Sequence, residues 1–179
     1  MPLQTTKFVI EDEIARLEAE RRELADAVAD LDPDNPMFET TVQEGNRIDQ
    51  FLSGLEYART EWDVESVTLI GLTGGEIRRM KNHLDDEIQR QQLTVRKNWR
   101  EAVYVVAFGT AAAPYVDDSM NSAQRIDAVD GELPDGYLAW AEQQINDLST
   151  VGNERRVSFS ELVMEKRQTS AETTTSTSS

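Results

Sequence analysis

The stretch Ser66-Val67-Thr68-Leu69-Ile70-Gly71-Leu72-Thr73-Gly74-Gly75-Glu76 is where the chain changes its hydrophobic period, and the fold class follows from it. Ser66 to Leu72 is rich in β-branched side chains and short enough for a single strand. Thr73 follows at once, with Glu76 three positions further on. A threonine hydroxyl accepts from the third amide of a helix, and a glutamate at that third position reaches back to the cap amide, so the spacing predicts a capping box. The helix it opens places Ile77, Met80, Leu84 and Ile88 on its inner face. With helical periodicity on both sides of this one strand, the expected class is mainly α. An N-terminal antiparallel helical hairpin precedes a small helical domain with one or two short strands.

Upstream, Ile10, Ile14, Leu17, Leu24, Val28 and Leu31 fall at alternating three- and four-residue steps, with Arg21 filling one seam position. A stripe this narrow, bordered by charge, has the character of a coiled-coil seam. It stops at Asp32-Pro33-Asp34-Asn35-Pro36, because proline disfavours helix in the residue before it. Asn35 is placed to cap a second helix with Pro36 at its first position. That helix runs to about Trp62, with Phe38, Val42, Ile48, Leu52 and Leu55 on its apolar face and Phe51 and Tyr57 widening it. Residues 8–63 therefore read as an antiparallel hairpin, either a docking or oligomerisation arm or a hairpin folded back on the remaining chain.

Downstream, Val95, Trp99, Ala102, Val103 and Val106 share one helical face, and Ala102 to Ala113 is the most apolar run in the chain. Pro114 ends it, and residues 115–132 read as a polar loop with a short helical turn. Leu133-Pro134-Asp135-Gly136 opens a last helix with Leu138, Ala141, Ile145 and Leu148 inward and Gly152 as its stop. Val157-Ser158-Phe159 reads as a short strand or as the start of a helical turn through Leu162 and Val163. The expected division is a hairpin over 8–63, a helical core domain over 64–165 and a disordered tail over 166–179. The tail beyond Gln168 is Ser, Thr, Ala and Glu, too polar to offset the entropy of ordering.

Composition narrows the function. Asp and Glu number 34 against 18 Lys and Arg, a formal charge of −16. Such a surface repels phosphates, which argues against nucleic acid as a partner. Only Lys7, Lys81, Lys97 and Lys166 among the basic residues are lysine. Acidic surfaces that prefer arginine resemble those of halophilic archaeal proteins, where near-molar salt shortens the screening length to ~3 Å. No apolar run approaches the ~18 residues of a membrane span, and Met1 to Glu13 lacks the basic start and apolar stretch of a secretory signal. Without cysteine there is neither a disulfide nor a thiolate metal site. The expectation is a cytoplasmic protein with no membrane partner.

Candidates for chemistry are few. His83 is the single histidine, and Asp85 and Asp86 beside it do not complete a triad or a zinc site. Gly71-Leu72-Thr73-Gly74-Gly75 lies where phosphate loops occur but lacks their Gly-Lys-Ser/Thr ending and the dinucleotide glycine spacing. Asp30, Asp32 and Asp34 imitate the start of a calcium loop, yet Asn35 stands where glycine is required. The expectation is no catalytic residue, no cofactor and no metal.

The run Val67 to Glu76 resembles the opening of tail assembly chaperones of long-tailed viruses, a short strand and a Leu-Thr-Gly turn leading into a helix. The apolar helix, acidic loop and Leu133-Pro134-Asp135-Gly136-Tyr137-Leu138-Ala139-Trp140 that follow are also similar, so the resemblance covers about residues 66–165. The 8–62 hairpin departs from that pattern. The resemblance implies a mainly helical, non-enzymatic protein that coats a long helical tape-measure protein during tail assembly in the host cytoplasm, here in a halophilic archaeal version. The partner-binding residues expected are Ile14, Leu17, Leu24, Ile48, Leu52 and Leu55 on the hairpin seam, and Ile77, Met80, Leu84, Trp99 and Tyr137 in the core domain. Such seams also permit a homo-oligomer. The alternative is a structural virion component, a head-to-tail connector or tail-completion protein forming a ring through the same hairpin.

Overall fold

A computed structural model describes residues 4–32, 34–91, 97–117 and 119–150, the side chains of residues 90, 91, 97–99 and 150 excepted. The elements in chain order are β1 (Thr5–Val9), α1 (Ile10–Ala29), α2 (Pro36–Glu61), β2 (Ser66–Ile70), α3 (Gly74–Gln91), α4 (Lys97–Gly109), β3 (Thr110–Ala112), α5 (Ser122–Glu132) and α6 (Asp135–Thr150). The fold is mainly α, with a small antiparallel sheet in the order β1-β2-β3. The expected strand at 157–159 and the 166–179 tail lie outside the described residues.

The capped element is present. The Thr73 hydroxyl accepts from the Glu76 amide at 3.2 Å, and the Glu76 carboxylate accepts from the Thr73 amide at 2.8 Å. Those bonds to Thr73 hold the Glu76 carboxyl below its usual range. The turn before α2 also forms as the sequence predicts. Asp32 accepts from the Asp34 amide, and Asn35 caps the helix by accepting from the Met37 amide at 2.9 Å.

Three elements differ from expectation, and one is β3, which ends the apolar run of α4 as a third strand over Thr110–Ala112. The chain before α1 is a strand, paired antiparallel with β2 so that Phe8 opposes Val67 and Thr6 opposes Leu69. These four share the sheet face turned to the core, where Val67 and Leu69 are buried. The polar stretch after Pro114 holds the eleven-residue α5 where a loop with a short helical turn was expected. Asn121 and Gln124 form a second capping box there, with bonds of 3.0 and 2.9 Å, and Val129 is buried beneath it.

The hairpin is tied to the sheet at both ends, because β1 and β2 flank it and pair with each other; the Ile10 amide donates to Glu65 O at 2.9 Å. Its base is core. Ile10, Ile14 and Leu17 of α1 and Ile48, Phe51, Leu52, Leu55 and Ala58 of α2 are buried in one cluster with residues of every other helix. The helix crossing that fixes this is close. A Cβ on Gly54 would stand 2.0 Å from the Tyr137 backbone nitrogen, so only glycine lets α2 meet α6 there. Trp62, at the end of α2, packs 5.9 Å from Tyr137 and 6.3 Å from Tyr115. Beyond them Trp140 is fully buried, with Phe8 edge-on at 5.6 Å. The rest of the chain thus covers Phe51 and packs against Trp62, while Tyr57 stays exposed. The described residues through Ser149 make one compact unit.

Candidate protein-docking surfaces

Most of the residues expected to touch a partner are covered by the chain itself. Ile14, Leu17, Ile48, Leu52 and Leu55 form the buried base of the hairpin, and Met80 and Leu84 seat α3 on the core. Tyr137, fully buried, lies at the centre of the aromatic cluster. Leu24 and Ile77 are half-buried at its edge, and Trp99 falls on α4 with its side chain outside the described set. Helical periodicity marks a face that something covers, and for the buried eight that cover is intramolecular. Among the described side chains of this set, Leu24 borders an open groove.

That groove runs along the distal hairpin. Beyond Leu17 no residue of α1 is fully buried, and on α2 none before Ile48 is. Leu24, Ala25 and Val28 face Thr41, Val42 and Gly45 across a depression of about 300 Å³. At its inner end Arg21 bridges the two helices through Asp49 at 2.7 Å. Near the tip Met37 is 60% exposed. Gly45 differs from Gly54 on the same helix, because a Cβ there would meet nothing within 4 Å. A mid-helix glycine costs roughly 0.5–1 kcal/mol relative to alanine, and no packing among the described residues accounts for this one.

A second groove, of about 630 Å³, follows the α2–α6 crossing. Gly54, Ala102, Leu138 and Ala139 border it as small or apolar residues, Gln50 and Ser53 as polar ones, and Asp135 and Glu142 as acids. Tyr57 stands at this groove, 45% exposed, with Trp62 edge-on to its ring at 5.3 Å.

The third cavity, about 400 Å³, lies among α3, α4 and α5, and Glu87 and Tyr104 on its lining belong to a charge cluster. Arg100 joins Glu87 at 2.7 Å and also binds Asp130, while the Tyr104 hydroxyl donates to Glu87. Burial disfavours the Glu87 anion, but the bonds from Tyr104 and Arg100 and the guanidinium charge outweigh it, and the carboxyl is held below its usual range. Burial and the bond to Glu87 push the Tyr104 phenol up. The cluster clamps three helices together, with each carboxylate already matched to a cation or hydroxyl. His83 is exposed at the same cavity, and among the described residues no group of three possible metal ligands exists.

A buried polar chain crosses the core as well. Thr110 Oγ1 donates to Val106 O at 2.8 Å and lies 3.3 Å from the Tyr115 hydroxyl, itself 3.2 Å from that of Tyr137. Burial raises both tyrosines, which keeps them neutral and hydrogen-bonded within the aromatic cluster.

No family model, curated protein or solved structure matches the chain. Among the described residues no helix is long and apolar enough to cross a membrane.

Proposed function

We propose that this chain is a non-catalytic assembly factor of the tail-assembly-chaperone kind, holding a helical tape-measure-type protein during the building of a virus tail in a halophilic host. The observation that carries the reading is the distal hairpin, a two-helix arm on a buried base, with its seam half-buried along an open groove. A third helix laid along Leu24, Ala25, Val28, Val42 and Gly45 would complete a small bundle, and the glycine would let its backbone approach closely. The resemblance of Val67 to Glu76 and of the helices after it to tail assembly chaperones supplies the identity of that third helix.

The test pairs two measurements. Co-expressed with a tape-measure protein of a halophilic tailed virus, the chain should copurify with it, and Gly45→Leu, which fills the groove, should abolish that. Mass spectrometry of purified particles should find the chain absent. Presence in ring stoichiometry would replace this reading with the connector or tail-completion protein.

A further inference from the structure

The α2–α6 groove holds a carboxylate, that of Glu142, for which the described residues supply no ion-pair partner within 4 Å. Glu142 is half-buried on α6, where the groove meets a second depression bordered by Arg47, Gln143 and Asn146. Among the described residues it takes part in no ion pair. Burial and then the charge of Glu101 push its carboxyl above the usual range, against the pull of Arg47. Arg47 is occupied elsewhere. It donates to Gln143, approaches Glu44 at 3.7 Å and lies over the Phe51 ring at 5.3 Å. Lys81 is held by Glu101 at 3.3 Å. Among the described residues, the charged ones that line the groove, Asp135 and Glu142, are both acidic.

A half-buried carboxylate without a cation opposes folding, and a cation brought by another molecule relieves that cost. The surroundings say what should carry the cation. Leu138, Ala102 and Ala139 offer an apolar floor and Tyr57 an exposed ring, while Gln50 and Ser53 supply polar groups along one wall. The volume accommodates more than one side chain. A guanidinium suits the site better than an ammonium, since its planar fork pairs with a carboxylate through two bonds and is less strongly hydrated.

We infer that this groove docks a segment of another protein that presents an arginine beside an apolar side chain, with the guanidinium closing on Glu142 and the apolar group resting on Leu138 and Tyr57. The inference is separate from the arm and does not depend on the viral reading.

The probe is a fluorescein-labelled helical peptide of about 20 residues, long enough to hold helix, with leucine and arginine one turn apart. Its twin carries citrulline, which has the same shape without the charge. Both are titrated into the full chain by fluorescence anisotropy, at a salt concentration where circular dichroism shows it folded. The arginine peptide should bind about tenfold more tightly, on the order of one charge-assisted pair. In Glu142→Gln the preference should vanish. The same variant should melt roughly 1–3 °C higher, because it removes a charge that the fold disfavours. Equal binding of the two peptides, a preference that survives in Glu142→Gln, or a variant that melts no higher would each overturn the inference. A chain that copurifies with a tape-measure protein yet ignores both peptides keeps the proposed function and loses this site. The reverse outcome keeps the site alone.

Discussion

The two halves of the hairpin share one sequence pattern and have different fates. Ile14 and Leu17 at the base, and Leu24 and Val28 further out, occupy equivalent positions of the same seam. The base residues are buried in the common core cluster, while the outer ones are half-buried and border an open groove. Hydrophobic spacing thus gives the face on which a side chain lies, and says nothing of which neighbour covers it. The two glycines of α2 make the same point. Gly54 is required by a backbone that crosses it, and Gly45 meets nothing among the described residues.

The strongest way to break this comparison is to place a charge in each half. Leu55→Asp puts an unpaired carboxylate into a fully buried site and should cost several kcal/mol, enough to abolish the cooperative melt seen by circular dichroism. Leu24→Asp reaches water at the groove and should cost about 1 kcal/mol with the fold retained. If both variants unfold alike, the arm is part of the core.

Next in size is the pair of glycine substitutions. Gly54→Ala forces α2 away from α6 and should destabilise by about 3 kcal/mol in chemical denaturation. Gly45→Ala meets open space and should stabilise by roughly 0.5–1 kcal/mol. The same substitution on one helix, with opposite signs, sharpens the contrast between a glycine held by internal packing and one that is not. A destabilising Gly45→Ala would show that the distal arm is packed after all.

Salt should act on both halves unequally. Between Glu18 and Asp49 the sequence carries ten carboxylates and three arginines, a share of −7 in the total of −16. Raising salt from about 0.1 M to about 2 M screens that repulsion and should raise the melting temperature by many degrees. Amide exchange should slow more in the arm than in the base, whose stability rests on apolar burial. Equal melting temperatures in the two salts would remove the halophilic reading.

The sequence alone determined the local events. Asn35 and Pro36 start α2, Thr73 and Glu76 start α3, and Leu133-Pro134 leads into α6, each because cap and turn chemistry is completed within four residues. The Asn121–Gln124 box that starts α5 was equally present in the sequence. It was obscured because only Ile126 and Val129 give that helix an aliphatic face, too little for periodicity to register. Tertiary structure decided what depends on residues far apart in the chain. Thr5–Val9 is rich in β-branched and aromatic residues but too short to stand apart from the helix that follows it, and it becomes a strand because β2 offers a partner in register. The base of the hairpin is core because Gly54 and Tyr137, 83 positions apart, let two backbones touch. Glu142 is one acid among 34 in the sequence, and only the packing that half-buries it and engages Arg47 and Lys81 elsewhere sets it apart. Burial and charge pairing are properties of neighbours in space, and periodicity carries no record of them.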